Sequence, residues 1–166
     1  ERFSASLKAS GLRPDALKLE ITEGMLMRDL DLIVPKLRAL REMGIGIAID
    51  DFGTGYSSLS YLQQFPVNGL KIDRSFVSDI RADQADASII NAIVAMARGL
   101  KLGLVAEGVE NRTQLRYLRS RGCSEVQGFI FSGAVPASEV TPLLRDNPYR
   151  GIVTDAPSTL SADPVV

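Results

Sequence analysis

Five short apolar runs recur along the chain, each with a polar or charged residue near its end. Runs this short that are apolar on both faces are typical of parallel strands covered by helices. One of them, "GIGIAI", leads directly into two adjacent acids, Asp50 and Asp51, and then into Gly53. The predicted strands lie at residues 17–21, 45–50, 67–73, 102–107 and 125–129.

Helical periodicity fills the stretches between several of these strands. Apolar residues recur at helical spacing over 29–43, 87–100 and 111–122, and the last pattern begins at Asn111, a good N-cap, and ends at Gly122. Pro35 lies inside the first pattern and predicts either a kink or a later helix start. Strands that alternate with helices favour α/β units with a parallel sheet.

The organisation of the chain follows from its length and its last residues. A chain of 166 residues is enough for one domain, which we place at residues 1–145. From Asp146 onward the sequence is rich in Pro, Ser, Asp and Thr and lacks periodicity, so 146–166 is expected to be a flexible C-terminal tail. The chain begins at Glu1 rather than Met, which favours a piece of a longer protein.

Composition excludes several kinds of chemistry. A net charge of −1 gives no electrostatic case for a nucleic acid polymer or an anionic membrane surface. The chain has no histidine, so histidine bases and His-ligated zinc are excluded, and its one cysteine, Cys123, is expected to be a buried small hydrophobe. Any catalysis must use carboxylates, lysine, backbone groups and cations that prefer oxygen ligands.

Polar residues stand near the ends of all five predicted strands. A single acid at a strand end is ordinarily a helix N-cap or a solvated turn residue, but five strands in succession indicate something more. The C-terminal ends of the strands of a parallel barrel meet at one rim, where active sites are built. The residues expected to converge there are Glu20, Asp50, Asp51, Lys71, Asp73, Glu107 and Gln127.

Such a rim would need a cation, because clustered carboxylates repel one another. Carboxylate and amide oxygens without His or Cys suit Mg²⁺ or Mn²⁺. Adjacent acids such as Asp50 and Asp51 can share two cations, an arrangement that serves phosphoryl transfer. Lys71 would stabilise developing charge or orient the nucleophile. The Gly-Thr-Gly that follows the acids predicts a mobile loop.

These motifs resemble the EAL family of cyclic di-GMP phosphodiesterases. The matching segments occur in the family's order and at its spacing, and they cover residues 17 to about 145. They are "EITE" (20–23), "DDFGTGYSSLSYL" (50–62), "KIDRSFV" (71–77), "AEGVE" (106–110) and "QGF" (127–129).

The resemblance implies a fold and an activity. The fold is a (β/α)8 TIM-like barrel, here partial and lacking its N-terminal strands. The activity is hydrolysis of one phosphodiester of cyclic di-GMP to the linear dinucleotide, in bacterial second-messenger signalling, with two Mg²⁺ or Mn²⁺ ions. The implied metal ligands are Glu20, Asp50 (shared by both ions), Asp51 and Glu107. Lys71, Glu107 as general base, and Gln127 are the implied catalytic residues.

Further roles follow from the same resemblance. Glu23 is implied to anchor the loop that begins at Phe52, and that loop is implied to couple dimerisation to the metal site. The loop residues are Phe52, Gly53, Thr54 and Gly55. The residues expected to bind substrate are Asp73, Gly128 and Phe129.

The chain also departs from the family pattern. The Glu-Ala-Leu segment and a following strand that ends in a metal-binding Asn are absent, and both are expected before residue 1. Gly133 and Ala134 stand where the family usually has a basic residue and proline near the substrate. The alternative to an enzyme is an inactive EAL domain that acts as a cyclic di-GMP receptor or interaction module.

The resemblance finally implies partners and a location. It predicts a homodimer in the full domain and N-terminal sensory or diguanylate cyclase-like domains in the parent protein. The location is cytoplasmic, or the cytoplasmic part of a membrane-anchored sensor.

Overall fold

Five parallel strands form one sheet in the computed structural model, which describes residues 2–26, 29–55, 62–80 and 88–154. The strands lie side by side in the order in which they occur along the chain. All five strands predicted from the apolar runs are present, and the resulting α/β fold confirms the predicted class. The strands are β1 (Lys18–Thr22), β2 (Gly46–Phe52), β3 (Gly69–Ile72), β4 (Gly103–Ala106) and β5 (Glu125–Val126).

Helices occupy most of the connections between the strands. The three helical patterns read from the sequence correspond to α3, α5 and α6 below. The helices of the described residues are α1 (Arg2–Ser10), α2 (Glu23–Leu26), α3 (Leu30–Glu42), α4 (Arg74–Ser78), α5 (Ser88–Gly99), α6 (Arg112–Ser120), α7 (Ala137–Asp146) and α8 (Arg150–Thr154), with a 3-10 turn at Pro14–Ala16. None of them is long and apolar enough to cross a membrane.

Capping residues fix where the helices begin. Asn111 caps α6 as predicted, since its side chain accepts a hydrogen bond from the Gln114 amide and Gln114 returns one in a capping box. Asp29 caps α3 by a single hydrogen bond, which its side chain accepts from the Leu32 amide. This cap starts α3 at Leu30, so the helix runs through Pro35 and the later start that Pro35 suggested is wrong.

The core lies between the sheet and the helices that cover it. All four residues of β3 are buried, as expected for the central strand of a parallel sheet. Ile90, Ile93, Val94 and Ala97 line the buried face of α5. Cys123 is also buried, as expected of a small hydrophobe, and burial raises the pKa of its thiol to about 11.

The segment after Asp146 differs in part from the expectation of a tail without structure. Residues 150–154 form α8, and the Tyr149 ring packs edge-on against Phe131 at 5.7 Å between centroids. Ile152 is half-buried against the core. Residues 155–166 lie outside the described part of the chain.

The sheet ends in two open edges, and these lead to a first prediction. Within the described residues β1 pairs only with β2, and β5 pairs only with β4. Unpaired backbone groups along an edge invite pairing with another chain. We expect the isolated 166-residue chain to self-associate in light scattering, and a monodisperse monomer that unfolds cooperatively would contradict this.

Candidate active site

An irregularity in β2 brings the two adjacent acids together. Ile49 pairs with Leu70 and Phe52 pairs with Ile72, so Asp50 and Asp51 together face the single residue Lys71. This extra residue is a β-bulge, which re-aims side chains that would otherwise alternate between the two faces of a strand. At the bulge the backbone of Asp51 adopts a left-handed conformation, with a φ of 53°.

Three carboxylates converge as a result of this bulge. An oxygen from each of Asp50, Asp51 and Glu107 can be chosen so that all lie within 4.8 Å of one another. Glu107 follows β4, whereas the two aspartates end β2, so the parallel topology brings together residues more than 55 positions apart. The rim predicted from the sequence therefore exists for these three residues, and their spacing suits a shared cation.

Lys71 ties the acids of three strands together. Its side chain is only 5% exposed, and its Nζ lies 2.6 Å from Glu20 Oε2, 3.0 Å from Asp50 Oδ1 and 2.6 Å from Glu107 Oε1. Glu20, an expected metal ligand, thus meets this cluster through Lys71 and is not part of the three-carboxylate group.

The charges of the site shift the pKa values of its members. Burial lowers the pKa of Lys71, but its hydrogen bonds to Glu107, Glu20 and Asp50 outweigh that effect and raise it well above its ordinary value, so the ammonium stays charged. Burial, and then the charges of Asp50 and Asp73, raise the pKa of Asp51. The four carboxylates of Glu20, Asp50, Asp51 and Glu107 outnumber the one ammonium of Lys71, so negative charge is left uncompensated, as a cation site requires.

Asp73 does more at this rim than the sequence suggested. It was predicted to bind substrate, and the structure shows it as the N-cap of α4, where its carboxylate accepts hydrogen bonds from the amide and hydroxyl of Ser75. The hydrogen bond from Ser75 is the main cause that lowers the pKa of Asp73. The charge of Asp73 also contributes to the raised pKa of Asp51. The pattern Asp-Arg-Ser was a capping signal that could have revealed the first of these contacts.

Glu23 contacts the loop that follows the acids. It begins α2, is only 3% exposed, and its Oε2 accepts a hydrogen bond from the Gly53 amide at 3.1 Å. A Cβ built on Gly55 would lie 2.7 Å from Glu23 Oε1, so only glycine fits there without movement. The contact agrees with the anchoring position expected of Glu23. The predicted loop continues through residues 56–59, which lie outside the described residues.

The last motif lies on the other side of the rim, after β5. Gln127 extends the sheet, since its amide donates to the Ala106 carbonyl and its own carbonyl accepts from the Val109 amide. Gly128 packs so closely on Val109 that an added Cβ would overlap the Val109 backbone, which gives this glycine a packing reason. Phe129 is 66% exposed, as a ring available to a ligand would be.

A cavity adjoins these residues on the face of the sheet that carries Lys71. Its volume is about 720 Å³, and Glu20, Lys71, Gln127 and Phe131 are among the residues that line it. A cavity of this size falls in the range of small-molecule sites. The fold and the site together define the class of protein: a parallel α/β domain with an acidic, lysine-bridged cluster at the C-terminal rim of its sheet.

The chain belongs to the EAL domain family, whose model matches residues 1–134. Over 140 residues, or 84% of the chain, it is 49% identical to the cyclic di-GMP phosphodiesterase NbdA of Pseudomonas aeruginosa and spans 18% of that protein. MucR of the same organism is 47% identical over 81% of the chain, which spans 20% of it. The chain therefore covers about a fifth of the length of these relatives.

Solved structures show the same relationship. The phosphodiesterase PaMucR in complex with c-di-GMP superposes with a TM-score of 0.78 at 47% identity, over 82% of this chain and 56% of that one. Klebsiella pneumoniae BlrP1 in a manganese and c-di-GMP complex gives 0.72 at 40% identity, over 79% of this chain and 33% of that one. The partial barrel expected from the sequence is confirmed by these neighbours.

Proposed function

We propose that the protein carrying this chain hydrolyses one phosphodiester of cyclic di-GMP to the linear dinucleotide. The observation that carries the proposal is the group of Asp50, Asp51 and Glu107 within 4.8 Å, bridged by the buried Lys71. The named activity of NbdA and the c-di-GMP bound to MucR and BlrP1 support it.

The residues present fit divalent cations. Their donors are carboxylate oxygens, the ligands that Mg²⁺ and Mn²⁺ prefer, and the four carboxylates of Glu20, Asp50, Asp51 and Glu107 outnumber the single ammonium of Lys71. We assign Asp50, Asp51 and Glu107 to two such ions, with Glu20 as a further ligand. When bound, these ions would activate a water molecule and stabilise charge on the phosphate.

The side chains of this chain would then divide the remaining work. Lys71 keeps its ammonium charged at the centre of the cluster, where it can hold a phosphate oxygen or the attacking water. Glu107 has Oε1 against Lys71, and its second oxygen can take the proton that the water loses. The leaving alkoxide takes a proton from solvent water as the P–O bond breaks.

The other rim residues would bind and orient the substrate. We assign Gln127, which lines the cavity together with Lys71, to position water, and the exposed ring of Phe129 to stack on a guanine base. We assign Asp73, whose charge contributes to the raised pKa of Asp51, to act through the acid pair or on the substrate itself. A homodimer, N-terminal sensory or cyclase-like domains, and a cytoplasmic location complete the proposal for the whole protein.

The proposal is tested by chromatography of cyclic di-GMP incubated with the protein that carries this chain. Linear dinucleotide should form with Mg²⁺ or Mn²⁺ and disappear with EDTA. Binding of cyclic di-GMP without any product at saturating metal would overturn the enzymatic assignment and favour the receptor alternative.

The Glu23 contact gives a further prediction. In Glu23→Ala the Gly53 amide loses its acceptor, so we expect the acid pair to shift, kcat to fall and more Mg²⁺ to be needed for half-maximal activity. Glu23→Gln keeps an acceptor oxygen and should retain most of the activity. Parallel Mg²⁺ titrations and thermal melts check this.

A different result would identify Glu23 as only a favourable charge in the first turn of α2. Such a charge is worth under about 1 kcal/mol. Its loss would then lower the melting temperature slightly and leave the metal titration unchanged, which would contradict the anchoring role.

A further inference from the structure

We propose that Phe76, on the short helix α4, is a positioning residue for the acid pair Asp50 and Asp51. Its ring supports the turn at Gly53 and thereby holds the left-handed backbone of Asp51 in the geometry that brings the carboxylates together. The inference rests on the proposed function, because it assigns a role toward the cations that those carboxylates would bind.

The contact itself is close. A Cβ built on Gly53 would lie 3.0 Å from Cε2 and 3.3 Å from Cζ of Phe76, and 3.4 Å from Cδ1 of Ile93. The ring edge therefore rests against the backbone of Gly53, which has a φ of +96°. The amide of the same glycine donates to Glu23. Gly53 is thus held between a carboxylate and an aromatic ring.

The turn at Gly53 is connected to Asp51 by short links. Phe52, the residue between them, is buried in the core. Thr54 donates from both its amide and its hydroxyl to the Asp51 carbonyl, at 3.3 and 2.8 Å. A non-glycine residue with positive φ persists only when its surroundings determine it, so a displaced turn would release Asp51.

Helix α4 is itself firmly fixed, which lets Phe76 act as a support. Asp73 caps it, Val77 is fully buried, and the Val77 carbonyl accepts a hydrogen bond from Gln114 Nε2 at 3.2 Å. Arg74 pairs with Glu110 at 2.8 Å. These contacts attach α4 to the segment just after Glu107.

Helix α4 therefore contacts the segment that follows the acid pair and also the segment that follows Glu107. On one side Phe76 contacts the turn that follows Asp50 and Asp51, and on the other side Arg74 and Gln114 connect to the segment that carries Glu107. The competing explanation is that Phe76 is an ordinary apolar contact whose loss would lower stability alone.

The test compares Phe76→Leu with a matched control, Phe65→Leu, in the protein that carries this chain. Both changes remove a ring that packs in or on the same core, but Phe65 precedes β3, at the opposite end of that strand from the acids. Calorimetric titration with Mn²⁺ measures cation binding without reference to hydrolysis. Thermal melts measure stability, and steady-state kinetics separate kcat from KM.

We expect Phe76→Leu to raise the Mn²⁺ Kd about tenfold, the low end for residues that orient metal ligands, with a lower kcat and little change in KM. Phe65→Leu should lower the melting temperature and leave the Mn²⁺ Kd unchanged. A double-mutant cycle with Gly53→Ala should be non-additive, because the shorter leucine makes room for the new Cβ.

The outcomes separate this inference from the proposed function. If the unsubstituted protein binds Mn²⁺ without hydrolysing cyclic di-GMP, and Phe76→Leu weakens that binding, the positioning role is supported and the enzymatic assignment is overturned. If the unsubstituted protein hydrolyses cyclic di-GMP and Phe76→Leu binds Mn²⁺ with the same Kd, the positioning role is overturned and the enzymatic assignment is supported. A parent that neither binds Mn²⁺ nor hydrolyses overturns both.

Discussion

Replacing Asp50 with Asn is expected to reduce the proposed hydrolysis of cyclic di-GMP by the protein that carries this chain at least about 100-fold, since loss of preorganised charge at one group costs about that much. Asp50 takes part in both groupings of the site: it contacts Lys71 at 3.0 Å and is one of the three converging carboxylates. Asparagine has the shape of aspartate and keeps an acceptor oxygen for the Asp51 amide, which in this structure donates to Asp50 Oδ1 at 3.1 Å. The change therefore removes charge with little loss of structure.

The measurement is turnover across a Mg²⁺ or Mn²⁺ titration. Asp50→Asn should need more metal for half-maximal activity and should remain slow at saturation, because the ligand expected to serve both ions has lost its charge. Asp31→Asn is the matched control, since Asp31 is exposed in the first turn of α3. Near-normal turnover of Asp50→Asn at saturating metal would show that Asp50 is not the shared ligand.

The sequence predicted the strands and the rim because both depend on simple patterns. Apolar runs identify buried parallel strands, and parallel topology then requires their polar ends to meet. Glu107 and the acid pair could therefore be placed together from the sequence alone. The ends of the strands were predicted less accurately, since β5 is only two residues long and β2 continues through both acids to Phe52.

The bulge at Asp50 and Asp51 could not be predicted in the same way. It depends on the register between β2 and β3, which is a property of two strands and not of a local segment. Aspartate tolerates the left-handed conformation, but nothing in the letters "IDDF" requires it of Asp51. For the same reason the sequence could not predict that Lys71 contacts Glu20, Asp50 and Glu107, because these contacts depend on how the strands pack in the sheet.

Helix α4 was also not predicted from the sequence. Its five residues are too few to show periodicity, and its contacts are to segments 20 to 40 residues away in sequence. The assignment of Gly128 illustrates a related difficulty. A motif match cannot distinguish a glycine that binds substrate from one that packs on Val109. In the structure, a Cβ added to Gly128 would overlap the Val109 backbone, which is a packing reason for glycine at this position.

Lys71→Met should produce the second large effect, in stability as well as in activity. The side chains have similar length, but the variant leaves Glu20, Asp50 and Glu107 facing one another without their shared ammonium. Removing one partner of a buried ion pair costs about 3–5 kcal/mol, and we expect about 3 here because the carboxylates keep some contact with solvent. Turnover should fall at least about 100-fold even at saturating metal.

Metal should restore the stability of this variant while its activity stays low. A cation that binds only the native state stabilises it by about 2.7 kcal/mol at 100 times its Kd. Without the ammonium the carboxylates attract Mn²⁺ more strongly, so the melting temperature of Lys71→Met should rise more between EDTA and Mn²⁺ than that of the unsubstituted protein. Lys36→Met, at an exposed position of α3, should melt like the parent under both conditions.

The pH dependence of this effect follows from the raised pKa of Lys71. A lysine whose folded pKa exceeds its unfolded value stabilises the fold fully below the unfolded value, about 10.4, and loses that contribution as pH rises through the folded one. Between pH 6 and 9 both states carry the charge, so the deficit of Lys71→Met in EDTA should stay constant. If Lys71→Met is as stable in EDTA as the unsubstituted protein, Lys71 does not stabilise the cluster. If the stability difference between the two proteins shrinks between pH 7 and 9, the Lys71 ammonium loses its proton in the folded protein.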